Sequence, residues 1–241
     1  MHLAHLRIIG DVHGRIVPRQ RRADLDKDRR STPAIWRDRR VRGRSYQRLA
    51  LESKYSIQVG DLAGDYSELS DIDPGYHRVV AGNHDNLPKL SPHFLGDYGI
   101  FSVPCNAGKM DVFYVRGAAS VDRAMRVEGL NWWPDEELSE AQHASALEAY
   151  IVAKPRMVVT HDCPSELVST VATLEEDIQK SQTNNLLQRM FEAHAPQWWF
   201  FGHHHKNWVF QHPRGTRFVC LGSLAYFDFD ENGRSVSWKP E

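Results

Sequence analysis

Apolar residues along this chain gather in short runs, and polar residues close each run in a repeated way. Leu6 to Ile9, Tyr55 to Val59, Val79 to Ala81, Met157 to Val159 and Trp198 to Phe201 are rich in branched and aromatic side chains. Runs this short, ended by Gly or polar residues, predict buried strands. Gly99 to Val103 and Val112 to Val115 predict two more. Arg217 to Leu221, Ala225 to Phe229 and Ser235 to Trp238, separated by turn residues such as Asn232-Gly233, predict antiparallel strands. Two good helices are expected. Leu138 to Val152 is opened by the acidic Asp135, Glu136 and Glu137 and closed before Pro155, and Leu186 to Ala193 is closed before Pro196. A shorter helix from Arg44 to Glu52 is the crossover that a parallel strand pair requires. With no internal repeat and no clear linker, the chain reads as one α/β domain over residues 1–241 with mixed sheets.

Five of these runs end in clusters of uniform chemistry. The clusters are Gly10-Asp11-Val12-His13-Gly14, Gly60-Asp61, Gly82-Asn83-His84-Asp85, Thr160-His161-Asp162 and Gly202-His203-His204-His205. Loops at the strand ends of layered α/β folds bring distant parts of a chain to one place. Taken singly, an Asp-Xaa-His or Gly-Asp after a strand is more often a turn or helix cap. Together they supply a two-metal hydrolytic centre. Two divalent cations about 3.5–4 Å apart share an anionic ligand, and Asp61 is the expected bridge. Asp11, His13 and His205 are expected on one ion. Asn83, through its amide oxygen, joins His161 and His203 on the other. Imidazole with carboxylate and amide oxygen suits Mn, Fe, Zn or Co, with Mn placed first. His84 comes directly after a ligand, so it is expected to face the substrate as catalytic acid. The nucleophile is a hydroxide held by the metals.

The remaining candidates are weighed against plainer roles. Arg116 and Arg123 have the fork geometry for a substrate phosphate, as well as for structural pairing. His204 is expected either to lie at the rim or to pack, Cys163 to behave as a small buried hydrophobe, and Trp132-Trp133 and Trp198-Trp199 to pack rather than stack on bases.

Charge adds one anomaly. The net charge of the 241 residues is −1, yet Arg15 to Arg48 holds twelve Arg and one Lys against four Asp, a local charge of +9. Little apolar periodicity accompanies it between Arg15 and Gly43, so a solvated insertion at about 15–43 is expected. An electrostatic arm for nucleic acid is the functional alternative. Cys105, Cys163 and Cys220 have no pairing pattern, and reduced thiols are expected. The chain has neither a basic start followed by a long apolar stretch nor a bilayer-length apolar run, which predicts a soluble cytoplasmic protein with no membrane partner. Oligomeric state is not readable.

The ordered series Gly-Asp-Xaa-His, Gly-Asp, Gly-Asn-His-Asp, a lone strand-end His and Gly-His-Xaa-His resembles the calcineurin-like metallophosphoesterase superfamily. It spans residues 10 to 205. The resemblance implies a four-layer sandwich of two mixed β-sheets flanked by helices, a dinuclear metal centre, and the roles given above for Asp11, His13, Asp61, Asn83, His161, His203, His205 and His84. The stretch from Val115 to Arg123, followed by Trp132 to Glu137, is similar to small bacterial and phage-type members. In relatives resembling phosphoprotein phosphatases the second motif continues to an Asp-Arg pair. Here Gly60-Asp61 runs on as Leu62-Ala63-Gly64-Asp65-Tyr66, which speaks against a phosphoprotein substrate. The expected function is hydrolysis of phosphate esters, monoesters first. A phosphodiesterase or nuclease is the alternative, and a catalytically silent binding protein on the same fold is the third reading.

Overall fold

The computed structural model describes residues 4–12, 45–62, 66–172 and 181–239. His13 and the basic segment 15–43 lie outside the described residues. In chain order the elements are β1 (Ala4–Ile9), α1 (Tyr46–Leu51), β2 (Ser53–Gln58), β3 (His77–Val79), α2 (Leu87–Leu90), β4 (Tyr98–Cys105), β5 (Gly108–Val115), α3 (Glu140–Ala153), β6 (Met157–Thr160), α4 (Val168–Val171), α5 (Gln182–Ala193), β7 (Trp198–Phe201), β8 (Trp208–Gln211), β9 (Arg217–Cys220), β10 (Tyr226–Phe229) and β11 (Ser235–Lys239).

They form two mixed sheets, ordered β11-β10-β1-β2-β3 and β4-β5-β6-β7-β9-β8. Alternation along the strands divides the apolar side chains into three layers, because successive residues of a strand face opposite ways. Leu6, Ile8, Ile57, Val112, Val159, Phe200, Phe227 and Phe229 fill the space between the sheets. Ile9 and Val79 face the other way and pack with Tyr46, Leu49 and Ala50 of α1. Val158, Trp199 and Phe201 pack outward against Tyr150 of α3 and Leu187, Met190 and Phe191 of α5. The result is the expected four-layer α/β/β/α sandwich. Trp198 and Trp199 are packing residues: Trp198 stacks on Phe200 at 5.7 Å, and Trp199 is fully buried. No helix among the described residues is long and apolar enough to cross a membrane.

Two expectations are corrected. Arg217 to Cys220 does not pair with the strands after it. As β9 it lies parallel to β7 and antiparallel to β8, whereas β10 pairs with β1 and β11 in the other sheet. The turn between β9 and β10 therefore crosses from one sheet to the other. Asp135, Glu136 and Glu137 do not open α3 either. That helix starts after Ser139, whose side chain and Gln142 form a capping box. Glu137 instead accepts hydrogen bonds from the Thr183 backbone N–H and hydroxyl, at 2.8 and 2.9 Å.

One buried ion pair ties the first sheet together. Arg7 on β1 is 5% exposed. It donates from Nε and Nη2 to the Asp228 carboxylate of β10 at 2.7 and 2.9 Å, and from Nη1 to the Leu49 carbonyl of α1 at 3.0 Å. Burial opposes the guanidinium charge, but Asp228 outweighs it and raises the Arg7 pKa. Removing one partner of a buried pair leaves an uncompensated charge. Arg7→Ala is therefore expected to lower stability by about 3–5 kcal/mol, read from the midpoint of urea denaturation; a loss below about 1 kcal/mol would contradict this role.

Candidate metal centre

The parallel strands of both sheets end at one edge, and the functional clusters come after them there. Asp11 follows β1, Asp61 follows β2, Asn83 follows β3, His161 follows β6 and His203 follows β7. Asp11, Asp61, Asn83 and His161 are all buried. The side chains of His84 and His205 retain 13% and 19% exposure, so they mark the mouth.

The decisive geometry is around His161. Its Nδ1 lies 2.7 Å from the Val59 carbonyl oxygen. An oxygen acceptor there requires Nδ1 to carry the proton. Nε2 then faces Asn83 Oδ1 at 3.0 Å and Asp61 Oδ2 at 3.5 Å. The Asn83 amide is turned the right way for this, because Nδ2 donates to Ser120 Oγ at 2.9 Å. The Ser120 hydroxyl donates onward to Glu136 at 2.6 Å. A carboxylate oxygen, an amide oxygen and an imidazole nitrogen thus converge, and they repel one another unless a proton or a cation stands between them. Donor atoms of Asp61, His161 and His203 lie within 4.8 Å of one another.

A second set lies beside it. His205 Nδ1 is 3.4 Å from Asp11 Oδ2, and the same oxygen accepts the His203 backbone N–H at 2.9 Å. Asp11 Oδ1 is buried without a hydrogen-bond partner among the described residues. A buried carboxylate oxygen left in this way fits a cation ligand. These donors suit the two divalent ions expected from the sequence, with Asp11 and His205 on one side and Asn83, His161 and His203 on the other. His13 lies outside the described residues.

Electrostatics agree with that fit. Burial, ahead of any other cause, raises the Asp11 pKa well above the usual carboxylate range, with Asp61 adding to it. Burial and then Asp61 push Asp85 up to about 7. Burial works against a charged His161, yet Asp61 overrides it and lifts the imidazole to about 10. Without a metal, a proton on His161 stands in for one. His203, whose pKa falls to about 4 chiefly through burial, is neutral.

The backbone is shaped to this purpose. Asp61, His203 and His205 have φ values of 62°, 64° and 50°. Left-handed backbone costs a non-glycine residue about 1–3 kcal/mol, so other contacts must hold it. Asp85 supplies them for Asp61: its carboxylate accepts the backbone N–H groups of Asp61, Leu62 and Gly82 at 2.7, 2.9 and 2.9 Å. Glycines give the necessary room. A Cβ on Gly82 would collide with Asp61 Oδ1, and one on Gly202 with Asp11 Oδ1.

His204 takes the packing role of its two readings: it is buried, with Nε2 3.1 Å from Asp162 Oδ1. Burial opposes the Asp162 charge, but His203 and His204 hold its pKa below the usual range. Cys163 is fully buried, and burial raises its thiol pKa, as befits an inert side chain. Arg116 and Arg123, read as either phosphate-binding or structurally paired, both have partners within the protein. Arg116 is 4% exposed, pairs with Asp97 at 2.6 Å and donates to the Asp135 carbonyl at 2.5 Å. Arg123 lies 4.1 Å over the Trp132 ring. Among the described residues, Arg126 reaches the centre, with its Nη2 3.0 Å from His84 Nε2. Ser120, Glu136 and Arg126 are thus contributors that the motif pattern does not reveal, and Asp85, which closes the Gly-Asn-His-Asp cluster, has a role that the pattern does not give.

Two outcomes are expected. Gly202→Ala displaces Asp11, so purified protein should hold less than half the wild-type metal by elemental analysis; unchanged content would contradict the packing. Metal binding must expel a proton from His161 and compete with protons on Asp11. Affinity should therefore rise between about pH 6 and pH 9, with net proton release, measured by calorimetry in buffers of different ionisation enthalpy. Affinity independent of pH would contradict the assignment.

The calcineurin-like phosphoesterase family profile matches residues 5–207. No curated protein matches the sequence. Among solved structures, a dimetal phosphatase from Danio rerio is similar at 14% identity, covering 95% of this chain and 93% of that one with a TM-score of 0.50. Phosphopantetheinyl hydrolase from Mycobacterium tuberculosis is similar at 13% identity over 90% and 89% of the two chains, with a TM-score of 0.45. Given a family match over most of its length, the chain belongs to the calcineurin-like phosphoesterases, hydrolases of phosphoric esters that use a dinuclear divalent metal centre.

Proposed function

We propose that this protein is a phosphomonoesterase working through a dinuclear centre. Asp11, His13 and His205 would hold one ion, Asn83, His161 and His203 would hold the other, and Asp61 would serve both. Manganese is our first choice of metal. The supporting observation is the meeting of Asp61 Oδ2, Asn83 Oδ1 and His161 Nε2 within 3.5 Å of the imidazole nitrogen. When bound, two such ions lower the pKa of water and neutralise charge on phosphoryl oxygens.

The chain's own residues do the rest. His84 Nε2 is 4.0 Å from Asp61 Oδ2, and the His84 backbone N–H donates to Asp61 Oδ1 at 2.9 Å. The main chain of His84 is thereby tied to Asp61 while its ring stands at the mouth, and in this role the ring gives a proton to the departing alkoxide. Ser120 and Glu136 keep the Asn83 oxygen turned inward. Asp85 keeps the Asp61 turn in place. The fixed cation of Arg126 beside His84 favours the more highly charged terminal phosphoryl of a monoester over a diester. The nuclease reading rests on the basic segment 15–43, which lies outside the described residues.

The test compares nitrophenyl phosphate with bis(nitrophenyl) phosphate in excess Mn. Monoester turnover is expected to have the higher kcat/KM. Asp61→Asn should lose both metal and turnover. His84→Ala should retain its metal and lose about 10²–10⁴-fold in kcat. Preference for the diester would overturn the substrate class, and equal metal loss in both variants would overturn the division of roles.

A further inference from the structure

Arg126 comes from a segment that core packing does not hold in place. Met125, Val127 and Leu130 are 70%, 58% and 72% exposed, so little apolar burial fixes the backbone between them. Polar contacts to Arg126 do so instead, and its own side chain is only 6% exposed. Nε and Nη2 fork onto the Asp122 carboxylate at 2.5 and 2.8 Å. Nη1 donates to the Asn131 carbonyl at 3.1 Å. Asn131 in turn accepts the Val127 backbone N–H at 2.7 Å.

The remaining contact has no structural need. Nη2 also points at His84 Nε2, 3.0 Å away. A guanidinium only donates, so this nitrogen of His84 is the acceptor. A neutral ring nitrogen is a poor partner for a fixed cation compared with an oxyanion, for which the same N–H group is well suited. The loop therefore presents an arginine, aligned from behind by Asp122, at the catalytic histidine rather than at solvent.

We propose that Arg126 is the residue that binds the substrate's phosphoryl group, exchanging its contact with His84 for a phosphoryl oxygen when substrate enters. The inference deepens the proposed phosphomonoesterase function and rests on it. It gives Arg126 the role that residue type alone suggested for Arg116 and Arg123. Asp122 is the positioning residue: it holds the guanidinium plane without touching substrate.

The test reads affinity for inorganic phosphate as well as turnover. Binding of phosphate to the Mn-loaded protein is measured by calorimetry, and nitrophenyl phosphate kinetics are measured in parallel, for wild type, Arg126→Ala, Arg126→Lys and Asp122→Asn, with metal content determined for each. Loss of one charge-assisted contact predicts a rise of about 10–100-fold in both the phosphate Kd and KM for Arg126→Ala, at wild-type metal content. Arg126→Lys keeps the charge but not the fork, and should fall between wild type and Arg126→Ala. Asp122→Asn should weaken phosphate binding less than Arg126→Ala. If Kd and KM in both Arg126 variants stay within about twofold of wild type, or if wild type itself binds no phosphate, the proposal is overturned. Should wild type bind phosphate yet turn over no ester, the phosphomonoesterase reading fails, and phosphate affinity still decides the role of Arg126.

Discussion

Mutual repulsion among buried donors is the constraint on which this structure depends. Asp61, Asn83 and His161 bring lone pairs together below the surface, with Asp11 close by. Groups of this kind do not gather in a core for stability, because taking charge out of water is costly and crowding like charges adds to it. In the metal-free state His161 must hold a proton and Asp11 is pushed toward neutrality. A pair of divalent cations removes both strains at once. The arrangement makes physical sense as a cation site and poor sense otherwise.

The rest of the fold serves to hold that arrangement in place. Two sheets packed face to face send parallel strands to a common edge, and the aromatic layer of Trp198, Phe200, Phe227 and Phe229 keeps the sheets in fixed relation. Left-handed backbone at Asp61, His203 and His205 turns their side chains inward. Asp85 offsets that cost at Asp61 with three backbone hydrogen bonds. Gly82 and Gly202 are needed because a ligand carboxylate lies where their side chains would be.

Much of this is legible in the sequence because strand ends are visible there. Asp11, Asp61, Asn83, His161 and His203 each close an apolar run, so a period-of-two reading of the runs places them at the edge of a sheet. The contributors whose roles such a reading does not give work through tertiary contacts. Asp85 acts on backbone N–H groups, Ser120 and Glu136 act on the far side of an amide, and Arg126 stands in a segment without periodicity. Glu136 and Glu137 mislead for a related reason. Charge before a helix suggests dipole pairing, but their partners, Ser120 and Thr183, are distant in sequence. The capping box of Ser139 and Gln142 is the local signal that marks the true start of α3. The pairing of β9 with β7 carries no local signal at all, because short strands near turns do not encode which sheet they join.

The most direct measurement is a crystal structure of Mn-loaded protein with anomalous scattering data. The account predicts two Mn peaks about 3.5–4 Å apart, with Asp61 coordinating both and His161 Nε2 coordinating one. A single peak, or peaks that leave His161 Nε2 without a metal, would contradict it.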